Sequence, residues 1–312
     1  MSAPPPSNLT TRAAIASVSV AVLLMGLKGY AAWRTDSMAM LGSLADTVLD
    51  LVASLVTLFG VRVASLPADR NHRFGHGKAE ALVALFQGAV IAASSVAILV
   101  ESIGRLSARH TTLDAGFGIA ASLVAMAVTA VLLTYQRRVI RLTNSLAIRT
   151  DYVHYQSDLL LNGAVIVALG LEYYVGLGGA DPVFGIAIAL WLFWGAWRSA
   201  AESIDQLMDK EWPEAKRRRF VEVASKLPGI RNLHDLRTRT GGAQDFAQFH
   251  IWIDPQMTVA AAHDVVEALE QRLEAEFPGT EILIHIDPEG QVDTDDPLVE
   301  ADQIAMLKEA PK

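Results

Sequence analysis

The sequence of 312 residues contains no cysteine, and only 19% of its residues are charged. The absence of thiols excludes disulfide bonds, thiolate metal sites and cysteine catalysis, so any bound metal must be held by oxygen and imidazole ligands. There is also no basic surplus, because the formal net charge is −8, and we therefore expect no nucleic-acid partner. Hydrophobic residues make up 52% of the chain, and its mean hydropathy is +0.30. These values indicate a membrane protein.

Six stretches are long and apolar, and each extends over the roughly 20 residues that an α-helix needs to cross a hydrocarbon core of about 30 Å. They run approximately over residues 13–33, 38–66, 80–101, 113–135, 146–173 and 182–204. The first lacks a small-residue cleavage site, so we interpret it as a span and not as a removable signal peptide. The sequence thus predicts an all-α transmembrane domain of six helices over residues 1–209, embedded in a lipid bilayer.

The charges indicate how these helices are oriented. Up to Asp205 the chain has 14 basic and 13 acidic residues, a net charge of +1, whereas the rest has 12 and 21, a net charge of −9. With a cytoplasmic N-terminus, nine Lys and Arg residues of the membrane part lie on the inner side and three on the outer side. The positive-inside rule then predicts that both termini are cytoplasmic.

Residues 210–290 have the pattern of a small cytoplasmic α+β domain. Pro213 favours the start of a helix, two alternating strands follow at residues 233–240 and 246–254, Thr258 caps an amphipathic helix, and a third strand covers residues 281–287. The order αββαβ predicts a ferredoxin-like or metallochaperone-like fold with both helices on one face of the sheet. Residues 291–312 form an acidic tail that we expect to be disordered.

Ionisable residues inside two of the spans are the strongest functional signal. The second span contains Asp46 and Asp50, and the fifth contains His154 and Asp158, each pair spaced so that both side chains lie on one helix face. A charge near the bilayer centre costs at least about 2.5 kcal/mol, which a bound dication would offset. Any one of these residues could instead hydrogen-bond a neighbouring helix. The four together favour a site for a cation such as Zn²⁺, for which protons would compete.

Two further groups of histidines and aspartates lie outside the spans. In the loop after the second span, Asp69, His72 and His76 could form a weaker, exposed metal site, or could only face solvent. The cytoplasmic domain offers five candidate ligands: His234, His250, His263, His285 and Asp287. Five ligands exceed one tetrahedral ion, which leaves a two-metal site bridged by Asp287, a site completed across a dimer, or scattered surface histidines as alternatives.

The two helical ligand pairs, the loop from Phe74 to Lys78 and the His-bearing αββαβ domain together resemble the cation diffusion facilitator family. The resemblance covers residues 10 to 290. It implies that the residues of the second and fifth spans form the transport site, that the loop residues form a second site, and that the five cytoplasmic ligands bind zinc at a homodimer. It also implies exchange of the metal for protons by alternating access. Finally, it implies a charge interlock at the dimer between Lys78 and Asp209, although Asp205 is also available.

The resemblance associates one histidine among three aspartates with Zn²⁺ and Cd²⁺, whereas four acidic ligands favour manganese. Our hypothesis is therefore a proton-coupled Zn²⁺ and Cd²⁺ efflux transporter of a bacterial inner membrane, which is not an enzyme. A preference for Fe²⁺, Co²⁺ or Mn²⁺ is one alternative. An intramembrane metallohydrolase and a membrane-anchored metal sensor are two others, from different functional classes.

Overall fold

The computed structural model describes residues 6–35, 38–106, 116–175, 180–226 and 232–291. The chain divides into two compact units, one ending at Leu207 and the other beginning at Met208. The first unit consists of long helices and the second is a small α+β domain, as the sequence predicts. The predicted acidic tail lies outside the described residues from position 292 onwards.

Six helices build the described part of the first unit. They are α1 (Pro6–Thr35), α2 (Met38–Ala64), α3 (Ala79–Leu106), α4 (Gly116–Thr143), α5 (Leu146–Val175) and α6 (Ala180–Leu207). Five of them, α1 to α4 and α6, are long and apolar enough within the described residues to cross a membrane. The helix α5 has a similar length and carries the predicted ligands His154 and Asp158. The fourth helix is longer than predicted, because it continues through the basic residues 137–141, which an apolar-run criterion excludes.

The helices pack through small and branched side chains at one end of the unit. One buried cluster joins the start of α1, the end of α2, the start of α3, the end of α4 and the start of α5 through Ala13, Val61, Val83, Val139 and Ile148. Gly60 permits this approach, since a Cβ atom there would overlap a methyl group of Val83. We call this the loop end of the unit, because the loop between α2 and α3 begins there.

The second unit is a sheet covered by two helices. Its elements are α7 (Glu214–Ala224), β1 (Leu233–Gly241), β2 (Gln244–Ile253), α8 (Val259–Glu276) and β3 (Thr280–Pro288). The strand order is β1-β2-β3, with β1 antiparallel and β3 parallel to β2. Side chains of both helices and all three strands share one core, which includes Phe220, Phe249 and Leu273. The predicted cap of α8 is confirmed, because the Thr258 hydroxyl oxygen accepts a hydrogen bond from the Ala261 N–H at 3.3 Å.

Candidate metal sites

Three ligand residues meet between α2 and α5. Asp50, His154 and Asp158 each offer an atom, and these atoms lie within 4.8 Å of one another. The His154 Nε2 atom is 3.0 Å from the Asp50 Oδ1 atom. The i,i+4 spacing explains how α5 presents two ligands on one face, and the α2–α5 contact supplies the third. We call these three residues the membrane cluster. A nitrogen and two carboxylates at this separation could hold one divalent cation.

The fourth predicted residue, Asp46, does not belong to the membrane cluster in this conformation. It lies one turn away from Asp50 and lines a cavity of about 240 Å³ that also reaches Asp50 and Asp158. Lys28 of α1 and Asn162 of α5 line the same cavity. Sequence reasoning missed Lys28, although a lysine inside an apolar span is a visible signal. The cavity therefore combines three carboxyl groups with one lysine side chain.

The predicted loop residues also come together. The two histidine rings of His72 and His76 are 4.5 Å apart, and Asp69 lies 3.3 Å from the first and 3.4 Å from the second. The N–H groups of His72 and Asn71 donate to Asp69 and thereby lower the pKa of its carboxyl group. The turn that returns the chain to His76 uses a positive φ at Gly75. The loop cluster, Asp69, His72 and His76, thus groups three ligands, of which Asp69 and His72 are exposed, whereas the His76 side chain is only 13% exposed.

Strand register aligns three histidines of the second unit. His250 on β2 is paired with His234 on β1 and with His285 on β3. Cross-strand partners share one face of a sheet, so these rings form a row on the face opposite the core. Asp287 lies at the centre of the row, with oxygens 2.8 Å from His250 Nδ1, 3.4 Å from His234 Nε2 and 3.3 Å from His285 Nε2. A bridging role for Asp287 fits this arrangement.

Only part of the row forms a compact ligand group. The atoms of His234, His250 and Asp287 lie within 4.8 Å of one another, and we call them the C-terminal cluster. His285 is 64% exposed beside it, and His263 is exposed on α8 outside the described ligand groups.

His234 differs from the other histidines of the second unit in its burial. It is 1% exposed, and neither ring nitrogen has a hydrogen bond of good geometry within the described residues. Burial, together with the nearby His250, lowers the pKa of His234, which favours the neutral form that metals require. Asp235 lies 3.8 Å from His250 at a bulge in β1, where its φ is +48°. Sequence reasoning missed Asp235, because a bulge leaves no periodic signal.

The two residues of the expected charge interlock have separate partners within their own units. Lys78 Nζ donates to the Leu207 carbonyl oxygen at the end of α6, at 3.2 Å. Asp209 lies 3.6 Å from Arg239. The pairing of Lys78 with Asp209 across a dimer stays a prediction.

The architecture and the ligand groups define a multi-pass membrane protein that handles metal cations. Residues 14–208 match the cation efflux transmembrane domain, and residues 212–289 match the cytoplasmic domain of cation efflux proteins. The chain belongs to the cation diffusion facilitator family, whose members are cation-efflux transporters and not enzymes. The metallohydrolase alternative is therefore wrong, and efflux of divalent metal cations is the function of the chain.

Similar proteins include two cation-efflux pumps named FieF. The pump of Salmonella arizonae is 40% identical over 281 residues, which are 90% of this chain and 93% of that protein. The pump of Salmonella schwarzengrund is 39% identical over 288 residues, 92% of this chain and 96% of that protein. Among solved structures, the zinc form of CzrB is 31% identical, covering 27% of this chain and 98% of that one, with a TM-score of 0.25.

Proposed function

We propose that this chain exports Zn²⁺ and Cd²⁺ from the bacterial cytoplasm across the inner membrane, and that the ion binds at the membrane cluster together with Asp46. The observation that carries the proposal is the convergence of Asp50, His154 and Asp158 within 4.8 Å between two helices of the membrane unit. Carboxylates in a bilayer are costly unless a cation or protons neutralise them. The relatives named as cation-efflux pumps support the outward direction of transport.

The ligand types support zinc and cadmium over harder ions. His154 contributes an imidazole nitrogen, and the aspartates contribute oxygens. Zn²⁺ accepts both at about 2.0–2.2 Å. Mg²⁺, Ca²⁺ and Mn²⁺ are better served by oxygen ligands alone, so a site with one imidazole favours borderline and softer cations.

Exchange for protons follows from the chemistry of the same nitrogen. The His154 Nε2 atom that faces Asp50 at 3.0 Å has one lone pair, which holds either a metal ion or a proton. A proton that arrives from the outer side would therefore weaken metal binding and release the ion. Alternating access by movement of the helices would then return the protonated site to the cytoplasmic side.

We also propose that the chain forms a homodimer that binds further zinc at and beside the C-terminal cluster. His234, His250 and Asp287 would form a site within one subunit, while the exposed His263 and His285 would complete a second site across the dimer. The loop cluster, in which Asp69 and His72 are exposed, would bind metal more weakly than the membrane cluster.

Flux measurements in proteoliposomes test the proposal. Zn²⁺ uptake driven by a pH gradient is expected for the wild-type chain and is expected to be lost in Asp50→Ala. Leu49→Ala is the matched control, because Leu49 directly precedes Asp50 on α2 and is 66% exposed. Uptake by Asp50→Ala at the wild-type rate would refute the transport site. If zinc uptake does not depend on the membrane cluster while a cellular signalling response to zinc depends on His250, the sensor alternative gains support.

The ion preference is tested by changing the one nitrogen ligand. His154→Asp converts the site to four carboxylates, and we expect Zn²⁺ transport to fall relative to Mn²⁺ transport. Competition between the two ions in the same vesicles measures this ratio directly. An unchanged ratio would show that the imidazole does not determine the preference.

A further inference from the structure

A buried carboxyl group lies in α5 near the membrane cluster and belongs to none of the predicted sites. Asp151 is completely buried. Its Oδ2 atom accepts hydrogen bonds from Ser17 Oγ at 2.6 Å and from Gln136 Nε2 at 2.8 Å, and its Oδ1 atom accepts one from Gln87 Nε2 at 3.4 Å. These donors come from α1, α4 and α3. We call Asp151, Ser17, Gln87 and Gln136 the polar network.

The polar network contains oxygens that are buried without a partner. Gln87 is 2% exposed and Gln136 is 0% exposed, and within the described residues the Oε1 atoms of both amides have no hydrogen-bond partner. Each Nε2 group, in contrast, is engaged with Asp151. A buried amide oxygen without a donor is costly, and such an oxygen is an available ligand for a cation.

The polar network continues the ligand stripes of both helices. On α5, Asp151 precedes His154 by three residues and Asp158 by seven, so all three lie on one face. On α2, Ser54 and Thr57 follow Asp50 by four and seven residues. Ser54 contacts α5, because its Oγ atom lies 2.8 Å from the Tyr155 hydroxyl. Thr57 contacts the polar network, because its hydroxyl oxygen accepts a hydrogen bond from Gln87 Nε2.

The polar network lies in the layer of the membrane unit between the loop end and the membrane cluster. The cavity of about 240 Å³ approaches the membrane cluster from the other half of the unit, through Lys28 in α1, Asp46 in α2 and Asn162 in α5. The polar network lies on the opposite side, between the membrane cluster and the loop end. The polar network thus occupies the layer of the unit that separates the membrane cluster from the loop end.

We propose that the carboxylate of Asp151 and the amide oxygens of Gln87 and Gln136 form a transit site for the divalent cation between the loop end and the membrane cluster. The inference rests on the proposed transport function. The three ligands are all oxygens, which bind Zn²⁺ less strongly than a site that includes imidazole. Weak binding suits a transit position, because an ion that conducts must also leave.

The same hydrogen bonds close the path when no ion is passing. The Ser17 hydroxyl and the two amide groups satisfy the carboxyl oxygens and join α1, α3 and α4 to α5. A cation can replace these donors, since it binds the carboxylate and the amide oxygens together. An apolar or anionic solute cannot replace them, so the arrangement opens selectively to cations.

The experiment compares zinc flux in proteoliposomes with zinc binding by the full chain. Asp151→Asn keeps the size of the side chain but removes the charge and replaces one acceptor oxygen by an amide donor. We expect its flux to fall about 10-fold or more, because a bond to a charged group contributes at least that factor. The affinity of the membrane cluster, taken as the zinc binding that Asp50→Ala removes, should stay as in the wild type. Gln136→Leu should also lower the flux, whereas Thr134→Val, two residues earlier on an exposed face of α4, should not.

The outcomes separate this inference from the proposed function. Wild-type zinc flux in Asp151→Asn overturns the transit site. A loss of flux accompanied by an equal loss of zinc affinity at the membrane cluster also overturns it, because this result would assign Asp151 a structural role. Should Asp151→Asn fail to fold, Gln136→Leu and Gln87→Leu decide the matter, since wild-type flux in both overturns the transit site. Wild-type flux in Asp50→Ala instead contradicts the proposed function itself.

Discussion

Zinc should make the sheet of the second unit exchange its amide hydrogens more slowly, and the substitution His250→Ala should remove this effect. His250 is the central member of the histidine row, paired in register with His234 and His285 and 2.8 Å from Asp287. A ligand that binds only the folded domain stabilises it by about 2.7 kcal/mol at 100 times its dissociation constant, which corresponds to roughly 100-fold slower exchange through unfolding.

The variant should lose nearly all of this stabilisation. Changes to residues that only support a metal ligand already weaken binding by about 10–100-fold, so loss of a ligand should weaken it by about 100-fold at least. At the same zinc concentration the stabilisation would then be about 0.4 kcal/mol, a twofold effect on exchange. Hydrogen-exchange mass spectrometry of the full chain, followed at strand β2 with zinc and with a chelator, measures both values.

A matched variant makes the result specific. His263→Ala removes a histidine from the same unit, but its side chain is exposed on α8 and lies outside the C-terminal cluster. Zinc should still slow exchange in β2 of this variant. If zinc protects β2 of His250→Ala as strongly as that of the wild type, the assignment of the C-terminal cluster as a metal site is wrong.

Three further results are expected. Phe220→Ala should lower the free energy of unfolding of the second unit by about 3–5 kcal/mol in denaturant unfolding, because this ring is completely buried. Leu283→Ala should change this free energy by less than about 0.5 kcal/mol, because Leu283 is 62% exposed on β3. Without metal, the free energy of unfolding of the second unit should fall as the pH drops below about 6.5. Burial lowers the pKa of His234, so below this pH the unfolded chain binds a proton that the folded chain does not bind. Denaturant unfolding at pH 7.5 and pH 5.5 measures this dependence, and equal stability at both values would contradict it. In calorimetric titrations of the full chain, Asp50→Ala should reduce zinc affinity more than Asp46→Ala does, because Asp50 already lies beside His154 whereas Asp46 has to approach the ion; a larger loss in Asp46→Ala than in Asp50→Ala would contradict this order.

The sequence was sufficient to predict most of the fold, because periodicity and capping determine it locally. The strand predicted at residues 233–240 is observed at Leu233–Gly241, and the helix capped by Thr258 begins at Val259. The isoleucines of β3 pack on the core as their alternation predicts. The predicted end of α4 was eight residues too early. The helix continues through charged residues beyond the apolar stretch with the same backbone conformation, so an apolar-run criterion does not detect its end.

The candidate sites were predictable where helix or strand spacing brings ligands together. The proximity of Asp50, His154 and Asp158 is expected from the two i,i+4 pairs on α2 and α5. The shared face of His250 and Asp287 is expected from the alternation of side chains along the strands. The exclusion of Asp46 from the membrane cluster depends on how α2 and α5 are placed in this conformation, which spacing alone does not encode. The partners of Asp151 come from three other helices, and such long-range contacts leave no local pattern in a single sequence.

Anomalous scattering at the zinc absorption edge, from crystals of the full chain grown with zinc, tests the central claim most directly. The account predicts a peak between α2 and α5, within coordination distance of Asp50, His154 and Asp158, and loss of that peak alone in Asp50→Ala. Zinc peaks only at the loop cluster and the C-terminal cluster, with none between α2 and α5, would contradict it.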